Sequence, residues 1–288
     1  MTTDGSGRMP AQRSDGPAHG RAGRDLRAAT TVGIVLAVVL LSSLLLWKPA
    51  FVAVVAVAAV VAVWELSNAL GQRGVRVPLV PVLLGGVLMV AAGYVGGPET
   101  LVVALGLTVI AVLVWRLGEP DGGYVRDATA GIFVAMYVPF LAGFATVLLR
   151  PEDGHWRVFA VILVVVASDT GGYLAGVLFG RHLLAPSVSP KKSWEGFAGS
   201  VLLGSAAGIG AVVVLLDGVW WAGLVFGLTG VLAATLGDLG ESMIKRDLGI
   251  KDMSTLLPGH GGIMDRFDSV LAALPVGWLV LSALVDVA

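Results

Sequence analysis

Residues 28–70 read AATTVGIVLAVVLLSSLLLWKPAFVAVVAVAAVVAVWELSNAL. Two apolar runs, Ala28–Trp47 and Phe51–Leu70, flank a short break at Lys48-Pro49. A helix that crosses a bilayer needs about 20 mostly apolar residues. Both runs meet that length, and the break leaves room only for a tight turn. The stretch therefore reads as a transmembrane helical hairpin.

The same pattern continues along the chain. Further apolar runs cover Pro78–Val95, Thr100–Leu117, Ala128–Leu149, Trp156–Leu178, Phe197–Leu216, Val219–Gly237 and Ile263–Val287. With the first two they make nine expected spans. The expectation is an all-α, polytopic integral membrane protein. It divides into a basic tail over 1–27, amino-terminal transmembrane helices over 28–150 and a carboxyl-terminal transmembrane catalytic region over 151–288. Composition agrees. Of 288 residues, 56% are hydrophobic and 14% charged, against roughly 25% charged in soluble domains. That apolar excess excludes a disordered chain, and the 40 Gly follow no collagen period. With a formal net charge of −1, no nucleic-acid partner is expected. The absence of cysteine removes disulfides, thiolate catalysis and Cys-based metal sites. The tail carries Arg8, Arg13, Arg21, Arg24 and Arg27. It reads as disordered rather than as a cleaved signal, because the apolar run after it is too long.

Lys and Arg bias sets the orientation. With the amino terminus in the cytoplasm, that side holds the tail arginines, Arg73, Arg76, Arg116, Arg126, Arg181, Lys191, Lys192, Lys245, Arg246, Lys251 and Arg266. The far side holds Lys48, Arg150 and Arg157. Sixteen against three puts the amino terminus inside and the carboxyl terminus outside. The expected location is the inner (plasma) membrane, with the active site facing the cytoplasm.

Three polar constellations interrupt the apolar pattern, all on that expected cytoplasmic side. Ser168-Asp169-Thr170-Gly171-Gly172-Tyr173 places an acid inside a span. Such acids usually face a cavity or a partner; the plainer reading is a helix-packing contact with small residues. Ser187-Val188-Ser189-Pro190-Lys191-Lys192-Ser193-Trp194-Glu195-Gly196 sets two lysines among hydroxyls just before a helix. Lys is a compact point charge suited to phosphate, although a positive-inside loop with an interfacial Trp has the same look. The third runs from Gly237 to Ser269. The 31 residues from Asp238 to Asp268 carry 10 charges.

In a helix, Asp238, Glu241, Ser242 and Lys245 fall at i, i+3, i+4 and i+7, on one face. Asp265 and Asp268 are likewise three apart, and the Gly-rich 258–262 stretch breaks the helix between the two sets. Carboxylates without Cys, and with one nearby His, suit Mg²⁺, which takes one or two carboxylates plus substrate phosphates. Lys and Arg beside them complete a triphosphate site at the membrane surface. There is no GxxxxGK[ST] loop, so a P-loop enzyme is excluded. Gly227-Leu228-Thr229-Gly230 reads as helix packing. The four His have no zinc spacing; His260 alone lies in a constellation, where it could contact phosphate or shape the turn.

The run Ser242-Met243-Ile244-Lys245-Arg246, Lys251-Asp252 and His260-Gly261-Gly262-Ile263-Met264-Asp265-Arg266-Phe267-Asp268 resembles the signature of the phosphatidate cytidylyltransferases, or CDP-diacylglycerol synthases. The SDTGGY and SPKKSWEG stretches resemble family segments in the same order. The resemblance is strong over roughly 165–270 and rests on hydropathy alone in the amino-terminal half. It implies a nucleotidyltransferase of phospholipid biosynthesis. Such an enzyme moves CMP from CTP to phosphatidic acid, a membrane lipid, and releases CDP-diacylglycerol and pyrophosphate with Mg²⁺. It also implies Asp238 and Asp265 as metal ligands, with Asp238, Asp265, Lys245, Arg246 and Asp268 as candidate catalytic residues. Asp169, Ser189, Lys191, Lys192, Ser193, Glu241, Ser242, His260 and Arg266 are implied substrate contacts, and a homodimer is the implied assembly. Two other readings stay open: a CTP-dependent polyprenol or lipid kinase, and an ion-coupled transporter. The transporter reading is weakened by the absence of an internal repeat.

Overall fold

The protein is described by a computed structural model over residues 22–118, 122–257 and 261–286. Within these, the chain forms α1 (Ala22–Leu46), α2 (Lys48–Gly71), α3 (Leu79–Gly96), α4 (Pro98–Leu117), α5 (Tyr124–Ala135), α6 (Leu141–Leu149) and α7 (Gly154–Phe179). A hairpin of β1 (Leu183–Ala185) and β2 (Ser189–Ser193) follows, then α8 (Trp194–Leu215), α9 (Trp220–Leu248) and α10 (Met264–Leu284). Eight segments are long and apolar enough to cross a membrane, α5 and α6 counting as one. The apolar part of α1, Thr30–Leu46, is shorter.

The local chemistry explains the breaks. Trp47 is extended and Pro49 opens α2, where the missing N–H costs nothing. Gly97, at φ 83°, turns the chain before Pro98 opens α4. Pro139 cannot supply the regular helical hydrogen bond, and the turn around it, Met136–Phe140, is π-helical. α5 and α6 thus continue as one interrupted span.

Interhelical contacts sort the loops into two ends. At one end Lys48 donates to the Pro151 carbonyl, and Arg157 donates to the carbonyls of Leu281 and Asp286. At the other, Arg73 reaches the end of α9 and Arg246 reaches the β-hairpin. The backbone N–H of Arg76 donates to Asp127 at 3.1 Å. Asp127 is fully buried and also binds Arg116 (2.9 Å) and Arg126 (2.8 Å). Arg116 is therefore a buried pairing residue rather than only a loop charge.

The closest helix packing lies in the carboxyl-terminal half, where glycines let backbones meet. A Cβ on Gly208 of α8 would lie 2.6 Å from the Gly227 Cα of α9. A Cβ on Gly237 of α9 would lie 2.6 Å from the Asp268 carbonyl of α10. The GLTG stretch is thus helix packing, as its apolar surroundings suggest. α10 also packs on α6 and α2, so the two halves share one core.

Two features differ from the sequence reading, and a third, the start of the last helix, agrees with it. The span expected to end at Gly237 continues as helix to Leu248. The SPKKS stretch is a strand, with Leu183 opposite Ser193 and Ala185 opposite Ser189. The last helix begins at Met264 with Asp265 in its first turn. His260, the 258–260 turn and residues 1–21 of the tail lie outside the described residues.

Candidate active site

The site lies where α7, the β-hairpin, α9 and α10 converge. Gly171 and Gly172 of α7 sit against Gly199 and Ser200 of α8. Ser200 Oγ donates to the Ser168 carbonyl at 2.7 Å. This close approach sets Asp169 at the wall of a cavity of about 240 Å³. Gly172, Gly176, Lys191, Lys192, Ser193 and Asp238 also line it.

The hairpin is locked onto α8 by its own sequence. Ser193 caps α8, accepting from Gly196 N at 3.1 Å, as a helix N-cap serine should. Glu195 reaches back to the backbone N–H groups of Arg181 (3.1 Å) and His182 (3.2 Å) and pairs with His182 Nδ1 at 2.6 Å. β2 then carries Lys192 across to an ion pair with Asp238 of α9. Arg246 Nε donates to the Val188 carbonyl at 3.3 Å, holding the hairpin turn from the other end of α9.

The expected face of α9 is present. Lys245 Nζ donates to Glu241 Oε2 at 3.0 Å, and Ser242 Oγ lies 3.5 Å from Asp238 Oδ1. Because α9 crosses α10 at Gly237, the carboxyls of Glu241 and Asp268 become neighbours, with Asp238 beside them. Glu241 is fully buried. Its Oε1 receives no donor among the described residues. Adjacent carboxyls repel unless they share a proton or a cation lies between them, and Lys245 answers part of that need.

Asp265 is placed differently from Asp238. Its Oδ1 takes Lys245 Nζ at 2.9 Å, and its Oδ2 takes Met253 N at 2.9 Å and Gly262 N at 2.7 Å. Both oxygens are engaged by N–H donors. The geometry has Asp265 gather Met253, Gly262 and Lys245 around one carboxylate. Asp238 is a third exposed and, among the described residues, meets Lys192 and makes the long Ser242 contact. It is the carboxylate open to an added cation.

The donor set is all oxygen, which fits Mg²⁺. Among the described residues no group of three His, Cys, Asp or Glu side chains is arranged to hold a metal by itself. An ion there would have to complete its shell with substrate phosphates. Asp238, with Asp268 and Asp169 close to it, is the residue set that would hold it.

Lys191 and Arg266 are exposed and Ser189 is half-buried at the hairpin. Of these, Lys191 lines the cavity. Two further residues contribute that the motifs do not include. Tyr137, in the π-helical turn, has its hydroxyl near the acids Glu241, Asp268 and Asp238, and that buried hydroxyl has no hydrogen-bond partner among the described residues. Glu65 of α2 is fully buried and bonds to the loop beside Asp265. A lone acid in an otherwise apolar span is a signal for Glu65; nothing in the sequence marks Tyr137.

A family profile described as the cytidylyltransferase family matches residues 27–284. A phosphatidate cytidylyltransferase of Mycobacterium bovis is 43% identical over 277 residues, covering 92% of this chain and 90% of the relative. One of Mycobacterium leprae is 43% identical over 280 residues, with the same shares. One of Haemophilus influenzae is 38% identical over 150 residues, 48% of this chain and 51% of that relative.

Proposed function

The chain belongs to the cytidylyltransferase family, and we propose that the site between α7, the hairpin, α9 and α10 transfers CMP from CTP to phosphatidic acid. The products are CDP-diacylglycerol and pyrophosphate. The observation that carries this reading is an alternation of charge that starts at the cavity, where Lys192 and Asp238 sit, and continues along α9 to Lys245. Lys192 pairs with Asp238, and Lys245 with Glu241 and Asp265. A triphosphate can be bound there by exchanging carboxylate partners for phosphate oxygens.

The chemistry asks little of a base. A phosphate monoester has a second pKa near 6, so the phosphatidate oxygen is already an anion at neutral pH. It attacks the α-phosphorus of CTP and forms a new P–O bond. The bond from that phosphorus to the bridging oxygen of the β-phosphate breaks, and pyrophosphate leaves with the electron pair. The obstacle is the approach of two anions. Lys192 and Lys245, placed before the substrate arrives, offset that repulsion once phosphate oxygens replace their carboxylate partners. Arg246, Arg266 and Lys191 extend the positive rim, and Ser193 and the hairpin hold Lys192 in place. Mg²⁺ at Asp238 would supply Lewis-acid stabilisation of the phosphoryl oxygens and the leaving group. Holding both reactants in the cavity supplies much of the rest.

The face carrying this site is the one rich in Lys and Arg, which supports a cytoplasmic placement in the inner membrane. A homodimer remains part of the proposal. The test uses purified protein in detergent with CTP labelled at the α-phosphorus and phosphatidic acid. Label is expected in the lipid with one pyrophosphate released per lipid formed, and chelation of Mg²⁺ should abolish it. Label recovered only as CDP, with phosphate added to the lipid, would replace this reading with a kinase.

A further inference from the structure

Glu65 sits in α2, well before the signature in sequence, yet its side chain is spent on the signature loop. Oε1 accepts from Ser254 Oγ at 2.6 Å and from Ile263 N at 3.0 Å, and Oε2 accepts from Met264 N at 2.9 Å. Ile263 and Met264 begin α10, where the first amides of a helix have no partner within it. A local Ser, Thr or Asp usually meets this need. Here a residue 199 positions away in sequence meets it. The loop is tight around the carboxylate: a Cβ on Gly262 would lie 2.6 Å from Glu65 Oε2.

The same helix controls the other end of the loop. Arg73, just past the end of α2, donates from Nε (2.9 Å) and Nη2 (2.6 Å) to the carbonyl of Leu248, the last residue of α9. Gly249 follows at φ 66° and ends the helix. α2 therefore grips the chain where it leaves α9 and where it enters α10. Between those grips, Asp265 collects Met253 N, Gly262 N and Lys245 Nζ. Two carboxylates divide the loop amides, Glu65 from the α2 side and Asp265 from within. Neither Glu65 nor Arg73 lines the cavity.

We infer that Glu65, supported by Arg73, is a positioning residue for cytidylyl transfer: it fixes the start of α10 so that Asp265 can hold Lys245 toward the phosphates. The inference rests on the cytidylyl-transfer reading. An acid in an apolar span is costly to insert, and a plain cap does not require one. A grip from the other half of the chain on both ends of the loop sets its register relative to the whole bundle.

The test compares wild type, Glu65→Gln and Glu65→Ala in detergent, by CDP-lipid formation and by hydrogen–deuterium exchange. Gln keeps one acceptor and turns an NH₂ group on an N–H donor. Its kcat is expected to fall about tenfold, and that of Glu65→Ala about a hundredfold, with KM for CTP within about threefold of wild type. Amides of residues 251–257 and 261–264 should exchange faster, while those of α3 and α4 do not change. Wild-type kcat and unchanged loop exchange in Glu65→Gln would overturn the inference. So would an activity loss that only tracks the fraction of folded protein. If Glu65→Ala does not fold, Ser254→Ala decides. It leaves Glu65 in place and should show the same loop exchange and a kcat loss of a few fold; neither appearing overturns the claim. A wild-type protein that forms no CDP-lipid sinks the functional reading, and loop exchange then still tests the grip.

Discussion

Lys192 and Lys245 look alike in sequence, each a lysine beside hydroxyls and acids, but their surroundings predict different outcomes on substitution. Lys192 and Asp238 are both partly exposed. Losing such a pair changes stability by ~1 kcal/mol or less. Lys192→Met should therefore unfold near wild type in a denaturant titration while losing CTP turnover at least tenfold. Lys245 faces a fully buried Glu241 and a nearly buried Asp265. Removing it leaves Glu241 without its donor and Asp265 with only its backbone donors, and breaking one buried pair typically costs ~3–5 kcal/mol. Lys245→Met should lose both stability and turnover, and equal unfolding curves for the two variants would contradict the assigned pairings. The spacing Asp238, Glu241, Ser242, Lys245 made the α9 face legible, since i, i+3 and i+4 positions share a side. The role of Asp265 was not legible in the same way. That its oxygens meet Met253 N and Gly262 N depends on a loop path that spacing does not encode.

At the scale of elements, the glycines separate packing from mere apolarity. Gly208 lies against Gly223 and Gly227, where an added Cβ would strike backbone that cannot rotate away. Gly208→Leu should separate α8 from α9 and destabilise by at least the ~1–3 kcal/mol of ordinary overpacking, read as a lowered thermal midpoint in detergent. Gly106 of α4 has nothing within 4 Å of a Cβ. Gly106→Ala should leave the midpoint unchanged or raise it slightly, as helix propensity dictates. A Gly208→Leu midpoint at or above that of Gly106→Ala would contradict the packing. Hydropathy located the helices because lipid demands long apolar runs. It misplaced the end of α9, whose last eleven residues turn polar on the side facing the site. It also missed the β-hairpin, where Ser189–Ser193 carries charge and proline instead of alternating apolar residues.

At the scale of the whole molecule, the loops meet in two sets, and the charge bias supports the proposal that one set faces the cytoplasm. The chain has no cysteine, so single cysteines report sidedness without background. Thr255→Cys, in the signature loop, should react with an impermeant thiol reagent only from the cytoplasmic side. Glu152→Cys, in the exposed turn between α6 and α7, should react only from the opposite side. Labelling of both from one side would break the two-ended arrangement. The grip of Glu65 on the signature loop belongs to this scale too. It joins residues far apart in the chain, and only the folded bundle reveals it.

The central claim is that Asp238, at the meeting of hairpin, α9 and α10, serves the transfer of CMP to phosphatidic acid. The most direct measurement follows label from the α-phosphorus of CTP into lipid for wild type and Asp238→Asn, both folded and both assayed with Mg²⁺. Wild type should form labelled CDP-diacylglycerol with matching pyrophosphate, and Asp238→Asn should be slower by about a hundredfold or more, ~2.7 kcal/mol of lost transition-state stabilisation. Labelled lipid formed by Asp238→Asn at the wild-type rate would contradict the account.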